Sequence, residues 1–218
     1  MAVKLSNNIV SLTSTYQTIR TCTNDQGEFV KLLFANVQPT ITTKIYLRYF
    51  DISDSSYTDI IHNIDVESEQ GQQVTIPIIL KKDDYIQAKV DDPSMDNACM
   101  CTIAAFEPSA FFNLILSNRG IDLTTSLDTL FTAQAGYSAI ARLFVSNHDS
   151  DYSRYAISIY DASASTERMI ANNILLDPNT TEIIDHPFIL EEGDKINIKK
   201  LSGASNVSVF ASIEEKRN

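Results

Sequence analysis

The sequence predicts an all-β fold of two tandem homologous antiparallel β-sandwich domains, jelly-roll or Ig-like in type. Three observations carry this. The chain repeats itself once along its 218 residues. Its apolar residues alternate with a period of two, the mark of strands with one buried face. Clusters of Asp, Asn, Ser and Pro separate those runs at short intervals, as turns do.

The repeat is visible from the start. Leu5-Ser6-Asn7 recurs as Leu116-Ser117-Asn118, and Leu12-Thr13 as Leu123-Thr124, both displaced by 111 residues. Lys31 to Asn36 matches Arg142 to Asn147 at the same displacement. A displacement of 110 then relates Asp51 to Asp161, Asn63 to Asn173, Pro77 to Pro187, Leu80 to Leu190, Asp84 to Asp194 and Ile86 to Ile196. Near the ends a displacement of 107 relates Ala104 to Ala211 and Glu107 to Glu214. Solenoid repeats run at about 20–50 residues, so this period denotes two copies of a whole domain. The division falls near Pro108 to Phe112, giving repeat 1 as 1–108 and repeat 2 as 109–218.

Along the chain, Ile45, Leu47 and Tyr49 alternate with Tyr46, Arg48 and Phe50; in the second copy Tyr155, Ile157 and Ile159 alternate with Ala156, Ser158 and Tyr160. Met100, Thr102, Ala104 and Phe106 are matched to Val207, Val209, Ala211 and Ile213. Turns fall at 51–56, 91–94 and 177–180. Such spacing predicts roughly 7–8 short strands per repeat. Only six glycines are present, so Asp, Asn and Ser must make many of the turns. Helical turns are expected only at Thr166–Ile170 and Ser109–Asn113. The predicted core comprises Leu33, Leu47, Ile64, Leu80, Ile86 and Ile103 or Ala104, with Phe144, Ile157, Ile174, Leu190, Ile196 and Val209 in the second copy.

Composition narrows the function. A net charge of -11 and 17 scattered basic residues argue against a nucleic-acid partner, which requires clustered cations. No apolar run approaches the ~18 residues that span a bilayer, and the N-terminus lacks a signal-peptide pattern, so neither a membrane nor export is expected. Cys22, Cys99 and Cys101 are odd in number and read as reduced, structural thiols. His62, His148 and His186 align with Asn172, Val37 and Ile76, so no shared metal-ligand set is expected. The acidic groups Asp51/Asp54 and Asp91/Asp92/Asp96 lack the EF-hand pattern and read as solvated turns. No nucleophile elbow, zincin helix or phosphate loop is present. The expectation is a chain with no cofactor, no metal and no catalytic residue, hence not an enzyme. Its aromatic residues leave one alternative: Tyr46, Phe50, Tyr57, Tyr152, Tyr155 and Tyr160 as stacking faces for a glycan.

The motif shared by both copies is Pro77 to Ile86 against Pro187 to Ile196: a strand, a polar turn, an Asp able to cap the turn's amides, and a new strand. Leu190-Glu191-Glu192-Gly193-Asp194-Lys195-Ile196, the final strand Asn206 to Glu214, and the strand-ending Asn36 and Asn147 together resemble a small β-sandwich repeat of tailed-bacteriophage virion proteins. The first repeat departs from it with Lys81-Lys82-Asp83 and Ala105. The resemblance covers most of both repeats and implies a non-enzymatic structural role on the virion, as a capsid decoration or cement protein, or at the neck or tail. It implies assembly in the host cytoplasm, with partners among further copies of the chain and major capsid, neck or tail proteins. Lys81-Lys82 and Glu191-Glu192 occupy the same turn with opposite charge and are the candidate interface residues.

Overall fold

The computed structural model describes residues 4–74, 77–107 and 114–218. Among them regular structure is antiparallel strand, apart from one 3-10 turn at Pro93–Met95. No helix among the described residues is long and apolar enough to cross a membrane. The chain divides into two units, Met1–Ala110 and Phe111–Asn218.

The first unit contains β1 (Lys4–Ser11), β2 (Gln17–Thr21), β3 (Glu28–Asn36), β4 (Thr43–Asp51), β5 (Ser56–Val66), β6 (Gly71–Gln73), β7 (Ile78–Leu80), β8 (Tyr85–Val90) and β9 (Cys99–Glu107). One sheet has the order β1-β9-β3-β6, with β7 also on β3; the other is β2-β8-β4-β5. The second unit contains β10 (Leu114–Asp122), β11 (Asp128–Thr132), β12 (Tyr137–Asn147), β13 (Ser153–Asp161), β14 (Thr166–Leu176), β15 (Thr181–Leu190), β16 (Lys195–Gly203) and β17 (Val207–Arg217). Its sheets are β10-β17-β12-β15 and β11-β16-β13-β14. In the second unit every connection but the β13–β14 hairpin passes from one sheet to the other. That is jelly-roll topology and excludes the Ig-like alternative.

Inward-facing positions make the core. In the second unit Leu143, Val145, Tyr155, Ile157, Leu190, Ile196, Ile198 and Val209 cluster with Leu123 and Leu130. In the first, Leu32, Phe34, Ile45, Leu47, Leu80, Ile86, Cys101 and Ile103 are buried. Burying each such side chain stabilises the fold by about 1.5–3 kcal/mol. The expected core residues Leu47, Leu80, Ile86, Ile103, Ile157, Leu190, Ile196 and Val209 are in place. Ile64 and Ile174 are half-buried.

Two expectations slip by one residue. Leu33 is 44% exposed while Leu32 and Phe34 are buried. Its counterpart Phe144 is fully buried as expected, on the face of its sheet opposite Leu143 and Val145, against Phe210 at 6.0 Å between ring centres. In the last strands, Leu32 pairs with Ile103 and Leu143 with Ala211, so Cys99, Cys101, Ile103 and Ala105 match Val207, Val209, Ala211 and Ile213. Ala104 is exposed, and Glu107 corresponds to Glu215 rather than Glu214. Thr166–Ile170, expected as a helical turn, begins β14: Glu167, Arg168 and Met169 pair with Tyr160, Ile159 and Ser158. Cross-strand pairing here overrides the helix preference of Glu, Arg and Met. Ser109–Asn113 lies outside the described residues.

The backbone itself is duplicated. Left-handed residues occur at Ser55 and Ser165, Asn63 and Asn173, Glu69 and Asn179, and Asp83 and Gly193. Asn63 and Asn173 sit at register shifts, where Ile45 pairs with Ile64 but Leu47 with Ile61, and Tyr155 with Ile174 but Ile157 with Ala171. Asn and Asp tolerate this conformation because their short side chains bond locally. This explains how a chain poor in glycine makes so many reversals. Gly203 is different: at φ +90 its hydrogen lies where a Cβ would come within 2.0 Å of the Tyr152 carbonyl oxygen.

Two polar side chains pin each sandwich; Asn36, Asp84 and Asn147 are buried and Asp194 is half-buried. Asn36, at the end of β3, donates to the carbonyls of Ile41 (2.7 Å) and Val66 (3.0 Å) and accepts from the Gln38 amide (2.9 Å). Asn147 does the same from β12, donating to Asp151 (2.8 Å) and Asp177 (3.0 Å) and accepting from the Asp149 amide (3.1 Å). Each links the end of a strand in one sheet to the hairpin of the other. Asp84 accepts from the Ile52 amide (3.1 Å), the Lys81 amide (3.3 Å) and the Tyr49 hydroxyl (2.5 Å). Asp194 accepts from the Ala162 amide (2.9 Å) and the Glu191 amide (3.0 Å). The Asp expected to cap the shared turn does so in both repeats.

Asn36→Ala and Asn147→Ala each strand buried backbone groups. Each is expected to cost about 2–4 kcal/mol in chemical denaturation, since an unsatisfied buried group costs about 1–3 kcal/mol; a change below 0.5 kcal/mol would contradict the pinning role. A second expectation concerns pH. Glu215 is fully buried and accepts the Gln134 amide and side-chain NH2, both at 3.2 Å. Burial raises its pKa, and the Gln134 amide only partly offsets this. The folded state therefore holds this proton more tightly than the unfolded state. Its contribution to stability improves as pH falls from neutral through the raised value, levels off below the ordinary glutamate value, and is unfavourable above. Glu215→Gln is expected to raise the melting temperature at pH 7 and to flatten the pH dependence in that window; a lowered melting temperature at pH 7 would contradict it.

Candidate functional site on the first repeat

Alternation on β4 and β8 sends Leu47, Tyr49, Ile86 and Ala88 inward and Tyr46, Arg48, Phe50, Tyr85, Gln87 and Lys89 outward. Neighbouring strands add Tyr57 from β5, and Tyr16 stands just before β2. The result is one cohesive face. The Arg48 guanidinium lies between two rings, 3.9 Å from the centre of Tyr16 and 4.0 Å from that of Tyr57. Lys89 Nζ is 4.9 Å from the rings of both Tyr16 and Tyr46. Phe50 stacks on Tyr85 at 4.6 Å and 18°, and packs against Tyr57 at 4.7 Å. The Tyr57 and Tyr85 hydroxyls bond to each other at 3.0 Å. Arg48 Nε donates to Gln87 (2.8 Å), whose NH2 donates to Thr18 (3.2 Å).

Cations over ring faces attract through the ring quadrupole. Burial, reinforced by the charge of Asp59, raises the Tyr16 pKa, and burial also raises that of Tyr46. For Tyr85 the hydrogen bond with Tyr57 is the chief cause of a raised pKa. The phenols therefore stay neutral at physiological pH. Most ring faces are occupied by cations or other rings, so edges, hydroxyls and the 47%-exposed Tyr57 are what the surface presents.

The second repeat carries other chemistry at the same positions. Arg48, Tyr57, Gln87 and Thr18 become Ser158, Glu167, Asn197 and Thr129. Ser158 and Asn197 both donate to Glu167, the latter at 2.9 Å, and Thr129 donates to Asn197 at 2.8 Å. These bonds, that from Asn197 foremost, lower the Glu167 pKa. Of the aromatic residues expected as stacking faces, Tyr46, Phe50 and Tyr57 come together. Tyr155 is instead fully buried, donating to Glu182 at 2.7 Å; Tyr152 is exposed, and Tyr160 lies under Lys195 at 5.3 Å. The joint contribution of Tyr16, Arg48 and Tyr85 escaped sequence reasoning; outward alternation of Arg48 between Tyr46 and Phe50 was the available signal.

The interface candidates sit on their shared turn. Lys81 Nζ pairs with Asp51 (3.0 Å) and the exposed Lys82 with Asp25 (2.5 Å). Glu191 and Glu192 are exposed. The acidic turns use their carboxylates on backbone amides: Asp51 accepts from Ser53 (2.8 Å), Asp54 from Ser56 (3.0 Å) and Asp92 from Ser94 (2.8 Å) within their own turns, while Asp96 accepts from Ser14 (2.5 Å) and Asp91 from Lys44 (3.2 Å) in distant segments. His62 packs edge-on to Tyr46, His148 shares a 2.8 Å hydrogen bond with Ser208, and His186 is exposed on β15. Cys22, Cys99 and Cys101 are buried and unpaired as disulfides; burial pushes the first two thiols up to about 11 and the third higher.

A scan of protein-family models finds no match, and no curated protein matches the sequence. Solved structures do align with it at low identity. PNGase F, a glycosylasparaginase from Flavobacterium meningosepticum, aligns over 99% of this chain and 96% of its own, with 8% identity and a TM-score of 0.45. The PBSX exported protein XepA aligns over 98% and 86% (8% identity, TM-score 0.32), and the major capsid protein P2 of bacteriophage PM2 over 98% and 98% (8%, 0.32). The expectation that the chain is not an enzyme does not stand. Chains aligning along nearly its whole length include a glycosylasparaginase, so this layout does not exclude catalysis.

Arg48→Ala removes both ring contacts and the Gln87 bond. It is expected to destabilise the protein by about 1–2 kcal/mol, with Arg48→Lys recovering only part because the planar stack is lost; full recovery by lysine in a thermal melt would contradict the sandwich.

Proposed function

We propose that the chain is a structural protein of a bacteriophage particle, a capsid decoration or cement protein or a head–neck component, that binds further copies of itself and other virion proteins through its outward sheet faces. One observation carries this reading. The two repeats keep the same polar pins and left-handed turns while their outward faces diverge, one aromatic and cationic, the other a serine–glutamate–asparagine network. A duplicated frame with two different faces suits a chain that meets two different neighbours. The resemblance of the Leu190 to Ile196 turn and the strand-ending asparagines to virion repeats supports the same reading.

A second reading, a host-glycan adhesin on the tail exterior, draws on the aromatic face around the exposed Tyr57. The engagement of Phe50, Tyr85 and Tyr16 with each other and with Arg48 favours protein contact over sugar stacking. Quantitative mass spectrometry of purified particles is expected to find the chain at a fixed ratio to the major capsid protein, and Tyr57→Ala to lower that ratio. Absence from particles, together with binding on a glycan array that Tyr57→Ala abolishes, would establish the adhesin instead.

The turns of opposite charge enter the same proposal as register-setting contacts between copies. Reversal begins with Glu191→Lys and Glu192→Lys, since Lys81 and Lys82 hold Asp51 and Asp25 in their own repeat. Exposed pairs are worth about 0–1 kcal/mol, so the effect belongs in assembly. Assembly is expected to fall in that variant and to return when Lys81→Glu and Lys82→Glu are added; unchanged assembly at low salt would contradict the pairing.

A further inference from the structure

We propose that the second repeat carries a binding site for an aliphatic ammonium group. Between the edge strands β14 and β15 an apolar cleft of about 260 Å³ opens into the sandwich, walled by Ile157, Ala171, Ile174, Ile184 and Phe188. Glu182 also lines it. This residue pairs across strands with the core residue Val145, so its side chain faces inward. Its Oε2 accepts the buried Tyr155 hydroxyl at 2.7 Å, and among the described residues no lysine or arginine pairs with it.

An inward carboxylate beside apolar walls favours an added cation, because a charge-assisted hydrogen bond there offsets its desolvation. An aliphatic chain ending in an ammonium group satisfies both parts: methylenes against the isoleucines, NH3+ on Glu182. Such a site is a mostly apolar hollow with few placed polar groups, here the inward Glu182 and the exposed His186.

Comparison with the first repeat shows three differences that together make the cleft. Tyr155 stands where the first repeat has Ile45, Ala171 where it has the buried Ile61, and Glu182 where it has the neutral Gln72. Shortening isoleucine to alanine opens space, glutamate supplies charge, and the tyrosine hydroxyl orients that charge.

The test titrates the full chain with hexan-1-amine, hexan-1-ol and hexanoate, following the isoleucine methyl resonances by NMR. Hexan-1-amine is expected to shift the Ile157, Ile174 and Ile184 methyls below about 10 mM, with the alcohol binding about tenfold more weakly and hexanoate weaker still. E182Q keeps an acceptor for Tyr155 and is expected to reduce amine affinity to that of the alcohol. A171I, the first repeat's residue, is expected to abolish both. A capped lysine, Nα-acetyl-lysine amide, separates the sources: binding like hexan-1-amine supports a protein lysine as the natural occupant, and binding only by hexan-1-amine supports a free amine. Hexanoate binding as tightly as the amine, no methyl shift in the parent chain, or an unchanged amine affinity in E182Q would each overturn the proposal.

Discussion

Each sandwich depends on a buried side-chain amide at one end and a carboxylate, buried in the first repeat and half-buried in the second, on the turn into its last strands. Two sheets joined only by apolar contact are free to slide, because burial is non-directional. Asn36 and Asn147 remove that freedom by tying the end of a strand in one sheet to the β4–β5 or β13–β14 hairpin of the other. Asp84 and Asp194 act at the turn that leads from one sheet to the other, each holding the amide that follows the strand being left, Lys81 or Glu191, together with an amide at the end of the sheet being entered, Ile52 or Ala162. A buried polar group that loses its partner costs more than a typical hydrogen bond gains. These four residues therefore specify one alignment of sheets more than they add stability.

With register set from inside, the outward positions are released from folding duty. The same four sites accommodate Arg, Tyr, Gln and Thr in one repeat and Ser, Glu, Asn and Thr in the other without altering strand order. The same logic applies at the sandwich edge, where Ala171 in place of Ile61 opens a cleft without disturbing the pairing of its strand. Function, on this account, lies in what the two copies do not share.

Much of the fold was legible because period-two alternation and polar turns are local signals. The Asp84 and Asp194 caps and the strand-ending asparagines were readable as residues, though not as links between sheets, since their partners are distant in sequence. The failures at Leu33 and Ala104 have one cause. Alternation separates two faces but does not say which is inward, and both faces of β3 and β12 bear large apolar residues. The start of β14 was misread because Glu, Arg and Met favour helix locally, whereas its pairing with β13 is tertiary. The aromatic face was half visible: alternation placed Tyr46, Arg48 and Phe50 together, but Tyr16 and Tyr85 join them only through cross-strand neighbours.

Native-state amide hydrogen exchange tests the central claim, that the same internal pins hold both copies. The amides concerned are Gln38 and Asp149, which donate to the asparagine pins, and Ile52 and Ala162, which donate to the aspartate pins. All four lie in loops or hairpins, where exchange is ordinarily fast. The account predicts that all four exchange as slowly as the amides of the central strands β4 and β13, and that each pair behaves alike in the two repeats. Exchange at loop rates, or protection in one repeat but not the other, would contradict it.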